Sequence, residues 1–119
     1  MFHVLYHEKL IGKSALEVGD PPMGCAEGVF IPEEAFSDFR ADISPQPYDD
    51  PAINRWVGLS VHTENGAKVQ CLDTVLFEWD FGDHRELLVD VVGIHPRHYE
   101  ELFPGRHADY VAGVGIDKT

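Results

Sequence analysis

Cysteine is scarce: Cys25 and Cys71 are the only two in 119 residues. Two are too few for a disulfide framework and are expected as reduced thiols in a cytoplasmic protein. Long apolar runs are missing as well. None approaches the roughly 18 residues of a spanning helix, and the chain's negative charge makes anionic membranes poor partners, so no membrane partner is expected. Met1–Glu8 has neither a basic n-region nor an apolar h-region, and it is not read as a signal peptide. No internal repeat occurs. The chain has no Gly-x-Ser-x-Gly elbow, Walker loop or His-Glu-x-x-His helix, and Gly24 to Gly28 lacks the order of a dinucleotide fingerprint. Positive charge is the last shortage. Lys and Arg number 9 against 21 Asp and Glu, a net charge of −12. Nucleic-acid binding replaces phosphate counterions with Lys and Arg, so nucleic acid is not an expected partner.

What is present is ordinary globular material. Hydrophobic residues make up 44% and charged residues 25%, at a length that suits one domain spanning 1–119. Residues 2–7 and 10–16 read as two strands around Glu8-Lys9. Gly19 to Gly24, with Pro21-Pro22, breaks regular structure, and Gly28–Ile31 is a brief strand. Pro32 suits a first helical position, and Glu33 and Glu34 complement the helix dipole, which predicts a helix to about Arg40 or Asp42. Residues 44–51, with three prolines, form a loop. Ile53 through Thr63 alternates as one strand, Asn65-Gly66 marks a hairpin, and the partner strand runs from about Lys68 to Trp79 with a bulge near Asp73. Residues 81–84 turn, the nearly continuous apolar run 87–94 forms the central, most buried strand, and Pro96 opens a second short helix stopped by Pro104-Gly105. Residues 112–119 are a terminal strand or a frayed tail. The expected fold is α+β: a twisted, mostly antiparallel sheet of about five or six strands with two short helices.

The acid is unevenly spread. Residues 27–50 hold seven carboxylates against Arg40 alone, and residues 73–90 hold six against Arg85 alone. Such a field suits a basic protein partner, because complementary potentials speed encounter and reject wrong partners. Acidity for solubility alone is the plainer explanation. Aromatic residues lie among the charges, as at binding hot spots. The expected contact residues are Glu33, Glu34, Asp38, Tyr48, Asp49 and Asp50, in a non-catalytic interaction domain with an inhibitor or immunity-type role.

A second reading starts from the seven histidines. With Pro96 at a helix start, His95 and His98 can point the same way. His107 would complete three ligands for a divalent transition metal such as zinc, with Asp109 in support. Surface histidines near a helix end are the commoner explanation of such a group. Asp80, Asp83 and His84 form another small cluster, which ordinary turn chemistry explains better. Cys25, set between Gly24 and Gly28, would need an activating neighbour to act as a nucleophile and is read as structural. A homodimer paired through a sheet edge or apolar face is the third reading.

Overall fold

Strand formation begins with alternation. Phe2–Tyr6 (β1) and Lys9–Ser14 (β2) pair antiparallel, and His7 and Glu8 between them take positive φ values of 47° and 69°, the turn geometry that matches strand twist. Val18–Asp20 (β3) and Cys25–Val29 (β4) follow, separated by a 3-10 turn at Pro21–Met23. Regular structure therefore continues through a region where the two prolines predict only a break. Ile31–Pro32 (β5), the helix Phe36–Asp42 (α1), Ile53–Trp56 (β6), Ser60–His62 (β7), Asp73–Asp80 (β8), Arg85–Val92 (β9) and the helix Pro96–Leu102 (α2) complete the order. The computed structural model describes residues 1–106; the expected tail element at 112–119 lies outside them.

The α+β class holds, but the strands form two antiparallel sheets rather than one. They are ordered β5-β2-β1-β7 and β3-β4-β9-β8-β6. Two further differences from the sequence reading have clear causes. Pro32 does not start α1, because Pro32 and Ile31 pair with Gly12 and Lys13 of β2, and the helix begins four residues later. Gly12 permits this crossing: a Cβ there would run into the ring of Phe30 and the carbonyl of Ile31. Residues 53–63 are not one strand. Gly58, at φ 74°, lets the chain leave the five-stranded sheet after β6 and enter the four-stranded one as β7. The return is equally abrupt. The turn at Thr63–Ala67 leads only to a bridge between His62 and Lys68, and β8 starts at Asp73. The irregularity that resembles a bulge near Asp73 is the passage between sheets.

The two sheets and both helices share one core. It includes Val4, Ile11 and Val61 from the four-stranded sheet and Ala26, Leu76, Val89 and Val91 from the other. Phe36 and Phe39 bring α1 into it, and Trp56 packs on Phe39 at 5.8 Å. Tyr99 does the same for α2, and its hydroxyl donates to the Cys25 carbonyl at 3.1 Å. As the sequence predicts, β9 holds the middle of its sheet, but it is not the most buried strand: of its eight residues only Val89 and Val91 are buried, because Leu88 and Asp90 face outward. The sequence also anticipates the start of α2: Pro96 occupies its first turn and His95 caps it.

Candidate protein-interaction surface

The candidate surface is organised by β8. In a strand one face carries Val75, Phe77 and Trp79, and the other Thr74, Leu76 and Glu78. Binary patterning would send the first, wholly apolar set to the core. The structure does the reverse. Thr74, Leu76 and Glu78 are buried, while Val75, Phe77 and Trp79 face outward and are only partly covered. Burying Glu78 at 1% exposure requires compensation. Arg40 of α1 supplies it with a two-pronged contact at 2.7 and 2.9 Å, and Asn54 of β6 donates at 2.9 Å. Burial pushes the Glu78 carboxyl up, but these hydrogen bonds and the Arg40 charge outweigh it, so the group is held below its ordinary value.

Register extends the outward face across the sheet, since paired residues share a face. One row runs Arg55, Phe77, Leu88, Val29; the next runs Ile53, Trp79, Glu86. Tyr48 folds over the end of the first row, its ring edge-on to Phe77 at 6.0 Å and beneath the Arg55 guanidinium at 5.0 Å. Val29 is 59% exposed and Tyr48 43%. Among the described residues, the buried side-chain polar atoms lacking a hydrogen-bond partner are Arg55 Nε and Asp90 Oδ1, and both residues belong to this face.

Carboxylates border the apolar strip on two sides. At the β8–β9 turn stand Asp80, Asp83 and Glu86. Asp49 and Asp50 join them, because the loop is tied to this turn by a hydrogen bond from the Asp80 amide to the Ala52 carbonyl at 2.9 Å. Phe81 is 53% exposed there, its ring stacked on His84 at 4.9 Å. Three cations lie nearby: Arg85 is 3.8 Å from Asp80, Arg40 is on Glu78, and Arg55 lies over Tyr48 and donates to Gln46 Oε1 at 3.4 Å. On the other side, Glu27 of β4 is directly opposite Asp90 of β9, and Asp20 and Cys25 pair next to them. Burial and then the Glu27 charge push the Asp90 carboxyl above its ordinary range. Burial and the Asp90 charge likewise push the Cys25 thiol up, the opposite of what a nucleophile needs. Both cysteines are free thiols.

Like charges directly across a ladder are destabilising. A raised native carboxyl value means that the cost is fully present above that value and fades as pH falls toward the ordinary 3.8. Asp90→Asn should therefore raise stability at pH 7 by about 1 kcal/mol, a gain that disappears in acid. Urea denaturation of both proteins at pH 7 and near pH 4 measures it, and no gain at pH 7 would show the pair to be unstrained.

The sequence-predicted contact residues divide into two groups. Glu33 pairs with Lys13 of β2 at 3.2 Å, Glu34 is exposed just before α1, and Asp38 lines a shallow hollow with Lys9 and Tyr6. These belong to the side of the four-stranded sheet. Tyr48, Asp49 and Asp50 sit instead at the strip. Sequence reasoning missed Val29, Phe77, Trp79, Glu86 and Leu88; the alternation of Val75, Phe77 and Trp79 was visible, but the direction it faces was not. His95 Nδ1 accepts the Arg97 amide at 3.2 Å. His98 Nε2 accepts the Gln70 amide at 3.1 Å, and its Nδ1 faces Glu101 at 3.4 Å. His107 and Asp109 lie outside the described residues, and among the described residues no three His, Cys, Asp or Glu side chains are grouped to hold a metal. No helix among them is long and apolar enough to cross a membrane. No protein-family model, curated protein or solved structure matches the chain.

Proposed function

We propose that this protein is a non-catalytic interaction domain that docks a basic protein partner on the outward face of its five-stranded sheet, in an inhibitor or immunity-type role. The observation carrying this reading is the inversion of β8. The strand turns Val75, Phe77 and Trp79 toward solvent and accepts a buried Glu78 in exchange. An outward strip of aromatic and aliphatic side chains with a polar border has the anatomy of a binding surface. The border here is mostly acidic, with Arg55 and Arg85 standing among the carboxylates. Asp49, Asp50, Asp80, Asp83 and Glu86 stand at one end and Glu27 and Asp90 at the side, which favours a cationic partner. A second copy is disfavoured by the same border, because an isologous interface would set the carboxylates against themselves.

Two charge-reversed variants separate the acidic groups. In one, Asp49, Asp50 and Asp83 become Lys; in the other, Glu33, Glu34 and Asp38 do. Each is immobilised beside the parent and exposed to cell extract at low and high salt, and retained proteins are quantified by mass spectrometry. The expected result is a set of basic proteins held by the parent and by the Glu33/Glu34/Asp38 variant, lost with the Asp49/Asp50/Asp83 variant, and weakened by salt. Identical retention by the parent and the Asp49/Asp50/Asp83 variant at both salt concentrations would sink the proposal.

A further inference from the structure

At the hairpin end the apolar strip deepens into a groove of about 620 Å³. Its walls come from two stretches of chain that meet where β4 gives way to β5 and where β9 begins. Val29, Phe30 and Pro32 form one side, and Trp79, Leu87 and Leu88 the other. The two sides are locked together by the Phe30 amide, which donates to the Leu87 carbonyl at 3.1 Å, and by the pairing of Val29 with Leu88. The walls are therefore ladder-bound backbone and not a loop that must be ordered first, which lowers the cost of binding. Glu86 and Arg85 stand at the mouth. Arg85 leans on Asp80, and Glu86 is 3.8 Å from the His84 ring, whose other nitrogen contacts Asp83 at 2.7 Å. The opening is thus apolar inside, and at its edge Glu86 and Asp83 share the His84 ring while Arg85 is turned to Asp80.

Resting on the reading above, we infer that this groove takes one large apolar side chain from a linear basic segment of the partner, with Lys or Arg beside it meeting Glu86 and Asp83. Charge complementarity selects this occupant: the apolar walls accept an aliphatic or aromatic side chain, and the acidic mouth favours one carried between cations. A purely basic segment would leave the groove unfilled. A purely apolar one would leave Glu86 and Asp83 with only the His84 ring beside them. A second copy of this chain would bring more carboxylates to the same mouth.

A library of random linear peptides displayed on phage is selected against the full chain, and the enriched peptides are then measured by fluorescence anisotropy. The expected peptides place a large apolar residue next to Lys or Arg. Replacing that residue by Ala should weaken binding by about tenfold or more, as for a hot-spot anchor. On the protein, Val29→Trp fills the mouth from an exposed position and Leu88→Gln strips one wall, and each should weaken binding to a similar extent. Glu86→Lys should weaken it and flatten its salt dependence. Enrichment of basic peptides that need no apolar residue and tolerate both Val29→Trp and Leu88→Gln would overturn the groove while leaving acidic docking intact. Peptides indifferent to Glu86→Lys and to reversal of Asp49, Asp50 and Asp83 would overturn the docking reading itself. A selection that enriches nothing, or a chain that sediments as a dimer sealing this face, would overturn the groove as a site for a linear segment.

Discussion

Arg40→Met lowers the unfolding free energy by about 3–5 kcal/mol at neutral pH, the cost of leaving a buried charge uncompensated. The asymmetry of the pair is the reason. The Arg40 side chain is 33% exposed and can turn to water, whereas Glu78 is 1% exposed and cannot. With Arg40 gone, only Asn54 still donates to the carboxylate. The pH dependence then changes sign. In the parent, hydrogen bonds and charge hold Glu78 below its ordinary 4.5. Its contribution is therefore present above 4.5 and is lost as pH falls through the depressed native value. In the variant, burial acts with little opposition and raises the native value. The deficit is then full at neutral pH and shrinks as pH falls toward 4.5. Chemical denaturation of Arg40→Met between pH 7 and pH 5 should show the variant gaining stability relative to the parent. Adding Glu78→Gln should recover part of the loss at pH 7, because a neutral amide costs less to bury. A deficit below about 1 kcal/mol, or one that grows in acid, would show that Arg40 does not hold the charge of Glu78.

Trp56→Ala costs a similar amount, about 3–5 kcal/mol, through the cavity it leaves. Trp56 is 3% exposed at the end of β6, packs against Phe39 of α1, and donates its Nε1 hydrogen to the Ile43 carbonyl at 2.8 Å. It therefore fastens the helix and the start of the 44–52 loop to the five-stranded sheet. Trp56→Phe keeps most of the packing but leaves that carbonyl without its donor, for a loss of about 1 kcal/mol. Urea midpoints with an unchanged slope against denaturant distinguish these values from a change in the unfolded state. Equal losses for the Ala and Phe variants would assign the residue's contribution to its hydrogen bond and not to its volume.

Those two residues also show why the sequence was only partly legible. The features that could be read are local. Proline at Pro96 places α2, the Gly82-Asp83 turn places the β8–β9 hairpin, and the apolar run 87–94 identifies the central strand. What could not be read depends on distant partners. Glu78 is inward because Arg40 lies 38 positions earlier in the chain, and no periodicity within β8 contains that information. The α1 start was misplaced because Pro32 satisfies a local helix rule, while its pairing with Gly12 is a long-range fact. The split of residues 53–63 between sheets turns on the single left-handed residue Gly58. For the surface, the acidic loop with Tyr48 was visible in the sequence. Its apolar companions were not, because outward Phe77 and Trp79 look like core until the facing of the strand is known.

The passage of the chain back and forth between the sheets bears on how the molecule is assembled. The four-stranded sheet needs β1 and also β7, and the five-stranded sheet needs β3 and also β9. The four-stranded sheet has all its strands by His62, whereas the five-stranded sheet is stitched from the early and the late parts of the chain and cannot close until β9 is present. Structure gained late in the chain completes the five-stranded sheet and the core it shares with the other, and such non-local topology favours slow, concerted folding. On a ribosome, the outward strip would come into being only with the arrival of β8 and β9, which would keep the proposed docking surface incomplete until nearly the whole described fold can form around it.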